Sequence, residues 1–247
     1  MSDELTQHLI ATYNAMGFIV IRQFLNTDEL AELSGEIDRF MRHVAPALDE
    51  DQAFYQEEPD GSRALRQVHR MHCDPFFSAY QRNPKWSLIA QDLIGEPVTP
   101  HPPWWFNKPP RTAFATPPHQ DNSAFNYSPP KAIMLLVAID PMTVENGCLR
   151  YLPGSHRSGL REHAFSDVRG FALEVCEYGE DDRAREVVVE LEGGDLVCHH
   201  PLVVHRADAN PSNQRRSAFG IAYRGDSADV DWPARETYER AAAQARA

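Results

Sequence analysis

The sequence predicts a mainly β protein: a sandwich or barrel core with helices packed on it as an N-terminal layer. Three observations predict this. Beyond Val98, short β-type runs alternate with Pro, Gly and Asn turns. Before Val98, apolar residues recur at helical spacing. No Pro/Ser-rich linker, internal repeat or low-complexity tract separates the two parts. Residues 1–247 therefore read as one domain, helix-rich over 1–97, with a β core over 98–225 and a C-terminal tail over 226–247.

The elements follow in order. "TQHLIATYNAMG" has a helical apolar pattern and ends at Gly17, a C-terminal glycine. "FIVIRQF" is a short β run. In "NTDELAELSGEIDRFMRHV", Asn26 can cap a helix with Glu29 three residues later, and Leu30, Leu33, Ile37 and Phe40 or Met41 form one apolar stripe. Residues 49–63, "DEDQAFYQEEPDGSR", are acidic and irregular, and 49–61 is a candidate mobile lid. "DPFFSAYQRNPKWSLIAQDLIGEP" is helical again, with breaks at Pro75, Pro84 and Gly95. The β runs are "WWFNK", "HQDNSAF", "AIMLLVAID", "CLRYLPGS", "REVVVELE", "DLVCHH", "LVVHRAD" and "SAFGIAYR".

Bulk properties exclude several classes. A net charge of -12 argues against a nucleic-acid face and against binding an anionic membrane, but leaves room for one local basic pocket. "MSDELTQHLI" lacks a signal peptide's basic and apolar regions, and no apolar run reaches the roughly 18 residues of a spanning helix. Cys73, Cys148, Cys176 and Cys198 form no CxxC pair. A cytoplasmic protein with reduced thiols is expected.

The chemistry-bearing residues lie in the β half. If "HQD" is strand, His119 and Asp121 share a face and Gln120 points away. An imidazole beside a carboxylate suits a divalent first-row metal, and two histidines with one carboxylate leave coordination positions open. Alone, this spacing fits a surface hydrogen-bonded pair as well. A third ligand must come from later in the chain, where His199, His200 and His205 cluster. His199 and His200 are adjacent, so one of them can line a cavity, and neither is expected to be the ligand. On "RRSAFGIAY", Arg216, Ala218, Gly220 and Ala222 share a face, which suits a cavity wall ending in one guanidinium. The "VHRMH" spacing of His69 and His72 has no matching second pair and makes a poor zinc site.

Several stretches, in order, resemble the phytanoyl-CoA dioxygenase family of Fe(II)- and 2-oxoglutarate-dependent oxygenases. They are "GFIVIRQFLNTDELAELSGEIDRF", "HQD", "ENGCLRYLPGSHR" and "GDLVCHHPLVVHRADANPSNQRRSAF". The resemblance implies a double-stranded β-helix, or jelly roll, with His119, Asp121 and His205 as iron ligands. It implies Arg216, eleven residues after His205, as partner of the distal carboxylate of 2-oxoglutarate, with Asn107 near that co-substrate. It departs from the pattern where many relatives carry a tryptophan, here Leu136, and where many carry Gly-Ser, here Arg206 and Ala207.

The implied activity uses Fe(II), 2-oxoglutarate and O2. It hydroxylates a C–H bond of a small-molecule metabolite or biosynthetic intermediate and releases succinate and CO2. Halogenating relatives have a small residue where Asp121 stands, so hydroxylation is the expected outcome. Trp104, Trp105, Phe125 and Tyr127 cluster in sequence around HxD and are candidates for the substrate pocket. No protein partner is evident. Two readings stay open beside this one: a non-catalytic barrel binding metal and 2-oxoglutarate as sensor or scaffold, and a cupin-like metal enzyme that needs no 2-oxoglutarate.

Overall fold

The computed structural model describes residues 3–57, 61, 63–166, 168 and 171–244. Its helices are α1 (Asp3–Met16), α2 (Thr27–His43), α3 (Pro75–Tyr80), α4 (Pro84–Ile94), α5 (Asn122–Phe125), α6 (Glu180–Ala184) and α7 (Trp232–Gln244). The strands begin with β1 (Phe18–Ile21), β2 (Ala53–Glu57), β3 (Arg63–Val68), β4 (Val98–Pro100), β5 (Trp104–Lys108), β6 (Thr116–His119), β7 (Tyr127–Ser128) and β8 (Ala132–Ala138). They continue with β9 (Leu149–Tyr151), β10 (His163–Phe165), β11 (Leu173–Val175), β12 (Val187–Val189), β13 (Leu196–His199), β14 (His205–Ala207), β15 (Arg216–Gly225) and β16 (Asp229–Val230).

Two antiparallel sheets face each other in a double-stranded β-helix. The major sheet runs β1-β13-β8-β15-β5-β3-β2, with β4 also on β15, and the minor sheet runs β12-β9-β14-β6. Period-two alternation divides the residues of the major sheet. Leu135, Val137, Phe219, Ile221, Tyr223 and Trp105 face outward and pack against Leu33, Ile37, Phe40, Phe77 and Trp86 of the helical layer. Leu136, Ala138, Val197 and Ala218 face inward, toward Leu149, Tyr151 and Ala207 of the minor sheet. The small residues of β15 are needed there. A Cβ on Gly220 would lie 2.6 Å from the Trp104 indole nitrogen.

The helical layer follows its sequence signals closely. Asn26 Oδ1 accepts from the amides of Asp28 and Glu29, both at 3.0 Å, and Glu29 Oε2 accepts from the Asn26 amide at 2.8 Å. Gly17 closes α1 with φ +83°. Pro75 and Pro84 do not break helices but open them. Each sits in a first turn, where a missing N–H costs nothing, with Asp74 and Asn83 capping the amides of Phe76 and Lys85.

Two expectations change. The segment 49–63 is not irregular throughout: residues 53–57 form β2, which pairs with β3, and β3 pairs with β5, so these strands extend the major sheet. Acidic composition concealed the strand. Phe54 packs on His69, ring centroids 4.9 Å apart, and the Arg63 guanidinium lies 5.0 Å above the Tyr55 ring. The expected lid falls partly on residues 58–60, which lie outside the described residues. The C-terminal tail also carries structure, since α7 spans Trp232–Gln244. Asp231 Oδ1 accepts from the Ala234 amide at its start, and the Ala/Glu/Arg composition favours helix.

Filling the space over β15 should be costly. Gly220→Ala is expected to lower stability by about 1–3 kcal/mol through overpacking against Trp104. A thermal melt of the variant checks this, and an unchanged Tm would contradict the packing described.

Candidate metal centre and co-substrate pocket

The site is built where β6 and β14 meet. In the ladder, His205 stands directly opposite His119 on one side and opposite Tyr151 of β9 on the other. Cross-strand partners bring their side chains together on one face. The two imidazole centroids accordingly lie 4.2 Å apart.

Asp121 arrives differently from the expectation. β6 ends at His119, and Asp121 has φ -60° and ψ -27°, helical rather than extended. The Asp121 carbonyl accepts from the Ala124 and Phe125 amides, and Asn122 closes the turn through Tyr127. This one-turn helix, not strand alternation, swings the carboxylate back beside the histidines. Its Oδ1 lies 3.6 Å from His119 Nε2 and 3.8 Å from His205 Nε2. Donor atoms from all three residues fall within 4.8 Å of one another, and no other such trio occurs among the described residues. Gln120 does point away, but it is fully buried. Its amide donates to Leu202 O at 2.6 Å and Gly159 O at 3.0 Å, and its Oε1 accepts from the Arg161 amide at 2.8 Å. It anchors the segment to two neighbouring loops.

The protonation states suit a divalent cation. His119 Nδ1 lies 2.9 Å from Pro117 O and His205 Nδ1 lies 3.1 Å from Val203 O. A carbonyl only accepts, so each Nδ1 carries a proton and each Nε2 is the ring nitrogen turned toward the centre. Burial, with His119 nearby, pushes the His205 imidazole well below its usual range, so it is neutral. Burial opposes charge on Asp121, yet its surroundings, His205 first and then His119 and His199, hold its carboxyl well below the usual carboxylate range. Two imidazoles turned inward through Nε2 and one carboxylate therefore fit Fe(II).

Across the cavity stands Arg216, buried and inward-facing beside Ala218. Its Nε has no hydrogen-bond partner, and Nη2 reaches only Met142 Sδ at 3.3 Å. Burial lowers its pKa to about 10, which leaves it charged at neutral pH. A buried charged guanidinium without a carboxylate is costly unless an anion meets it, which fits the distal end of a dicarboxylate co-substrate. Its neighbour Arg215 is instead exposed and pairs with Asp140 at 2.8 and 3.0 Å.

Other expectations fare variously. Asn107 borders the cavity, but it pairs in register with Ser217, on the opposite pleat from Arg216. Its Nδ2 donates to Leu65 O at 2.9 Å. Leu136 lies opposite Gly220 and lines the cavity. Trp104, Trp105, Phe125 and Tyr127 are absent from the cavity wall. Trp104 packs on Gly220, Trp105 faces the helical layer, and Phe125 and Tyr127 form a separate cluster with His101. Proximity in sequence misled here, because the turn after Asp121 carries Phe125 and Tyr127 out of the barrel. His69 bonds Gln67 Oε1 and joins no metal-ligating group.

Sequence reasoning missed three groups. Lys108 faces the cavity opposite Arg216, with Nζ donating to Asp208 O at 2.5 Å and more weakly to Phe114 O and Ala207 O. Burial, then Arg216 and Arg66, push its ammonium well down. Counting alternation along "WWFNK" against "RRSAFG" would have found it. Arg66 lines the same cavity from β3, just past the segment read as irregular. Phe171 sits edge-on over His119, centroid to centroid 5.1 Å.

One double-stranded β-helix thus brings two histidines and a carboxylate together, with a buried arginine across the same cavity. Comparison with known proteins narrows this. The chain belongs to the phytanoyl-CoA dioxygenase family, whose sequence profile matches residues 13–218. A probable phytanoyl-CoA dioxygenase of Caenorhabditis elegans is 30% identical over 181 residues, covering 69% of this chain and 57% of that protein. Dioxygenase lolE1 of Epichloe uncinata is 32% identical over 114 residues, covering 46% and 41%. The chain thus spans about half the length of these curated relatives. Among solved structures, the epimerase SnoN in complex with Fe3+, α-ketoglutarate and nogalamycin RO has the same fold. Its TM-score is 0.75 at 22% identity, with 93% of this chain and 87% of that chain covered.

Removing one donor should break the centre. His205→Ala is expected to weaken Mn(II) binding by more than the roughly 10–100-fold typical of losing a supporting hydrogen bond. Titration of the metal-free protein, followed by calorimetry, measures it.

Proposed function

We propose that this chain is an Fe(II)- and 2-oxoglutarate-dependent dioxygenase that hydroxylates a C–H bond of a small molecule, with release of succinate and CO2. The observation that carries the proposal is the pairing of the His119, Asp121 and His205 donors with the buried Arg216 guanidinium, its Nε unsatisfied, in one cavity.

Each residue has a role under this reading. His119, Asp121 and His205 hold the iron. Arg216 receives the far carboxylate of 2-oxoglutarate and so orients its keto-acid end toward the metal ligands. Iron and 2-oxoglutarate, when bound, supply the oxidative chemistry with O2. Phe106, Met134, Leu136, Leu149 and Phe171 give the cavity an apolar wall that keeps water from the reacting groups. Asp121 fills the position that a halide would need, which supports hydroxylation. Among the described residues no helix is long and apolar enough to cross a membrane.

The test is succinate formation. Wild-type protein with candidate substrates should release succinate only when Fe(II) and 2-oxoglutarate are present, and Asp121→Ala should abolish it. Arg216→Met keeps the length and loses the charge. It should raise the KM for 2-oxoglutarate by roughly 10–100-fold, the loss of a charged hydrogen bond of about 1.5–3 kcal/mol. Turnover of substrate that persists in Asp121→Ala, or that needs no 2-oxoglutarate, would remove this reading.

A further inference from the structure

Each ligand of the centre is held from behind, and the three holds differ. His119 and His205 sit on strands, and each is turned by a carbonyl two residues back, Pro117 O and Val203 O. Asp121 is not on a strand. It stands at the start of a four-residue helical turn, so no ladder fixes its side chain. Its hold is another side chain. Oδ2 lies 2.8 Å from His199 Nε2, and His199 Nδ1 lies 3.0 Å from the Tyr151 hydroxyl.

The polarity of this chain follows from its ends. A carboxylate oxygen accepts, so His199 Nε2 carries the proton. A neutral imidazole then offers its Nδ1 lone pair, and the Tyr151 O–H donates to it. Both rings are buried, at 2% and 0% exposure, so no water substitutes for either bond. The Tyr151 ring is itself fixed, stacked on Phe18 at 4.4 Å and lying nearly parallel to His205 at 5.6 Å.

The two oxygens of Asp121 are thereby given separate duties. Oδ1 faces the histidine Nε2 atoms, and Oδ2 is engaged by His199. This matters for coordination number. Two imidazoles and a one-oxygen carboxylate occupy three positions of an octahedral metal. That leaves two for a chelating keto acid and one for O2. A carboxylate binding through both oxygens would take one of those positions. Resting on the reading above, we propose that His199, set by Tyr151, is a positioning residue that keeps Asp121 bound through Oδ1 alone and so preserves the open coordination positions. His199 is not itself a ligand.

The test uses metal-free protein and Co(II), whose visible spectrum reports coordination. His199→Phe removes the donor, His199→Gln keeps a side-chain N–H, and Tyr151→Phe removes only the hydroxyl. Circular dichroism and thermal melts confirm that each variant is folded. His199→Phe is expected to weaken Co(II) binding by roughly 10–100-fold and to shrink the spectral change that 2-oxoglutarate produces in the Co(II) protein. His199→Gln should restore most of both, and Tyr151→Phe should show a smaller loss of the same kind. A folded His199→Phe with wild-type affinity and spectra overturns the proposal, as does a folded His199→Gln no better than His199→Phe. If His199→Phe does not fold, Tyr151→Phe decides: a several-fold weaker site supports the chain, and an unchanged one overturns it. Failure of the metal centre itself looks different. In that case wild-type protein binds no Co(II), or Asp121→Ala binds it as well as wild type does.

Discussion

Strand β14 is three residues long, and its register against two neighbours sets the positions of His205, His119 and Tyr151 in the centre. With His205 opposite both His119 and Tyr151, one residue contributes a ligand and touches the other ligand histidine and the ring that stacks on it. A slip of one residue would turn His205 outward and present Arg206 to the cavity instead. Arg206 in its actual place faces away, where it binds Glu186 through Nε and Nη2 and also reaches Asp208. That ion-paired side chain on one pleat and the ligand on the next oppose slippage from both faces of the minor sheet.

The cavity that results is electrically divided. One wall carries the Asp121 carboxylate with its imidazoles, and the other carries Arg216, Lys108 and Arg66. Lys108 is compensated by three backbone carbonyls, so its burial is tolerated without an acid. Arg216 has only a thioether and an orphaned Nε, which makes it the group in this cavity that gains most from an arriving carboxylate. A divalent cation at one end and a dicarboxylate spanning to the other would neutralise both walls at once. The aliphatic residues between them keep the interaction strong by excluding water.

Much of this was legible in the chain itself, for reasons that are local. The capping box of Asn26 and Glu29 needs only residues three apart. The face shared by Arg216, Ala218 and Gly220 needs only strand alternation. Arg215 outside and Arg216 inside follow from the same alternation, though the partner Asp140 does not. Where reading failed, the deciding contact was distant. The hairpin of β2 and β3 exists because β5 offers it an edge, so its acidic composition was a poor guide. Pro75 and Pro84 are the local exception: each was read as a break, although the residue before it, Asp74 or Asn83, caps a helix that the proline opens. Phe125 and Tyr127 are near HxD in sequence, yet the helical turn carries them elsewhere, and the pleat turns Trp105 to the helical layer, while Trp104 packs on Gly220.

The sequence by itself determined the family, the helical layer, the strand faces and the residue types able to bind iron and a dicarboxylate, because periodicity and residue chemistry are local properties. Only the tertiary structure decided how those residues meet. Asp121 joins the histidines through a turn rather than a strand, and Lys108 and Arg66 join Arg216 across sheet neighbours far apart in the chain. His199 stands behind the carboxylate for the same reason: β13 and β9 are brought to opposite sides of one core by packing, which no spacing along a single strand encodes.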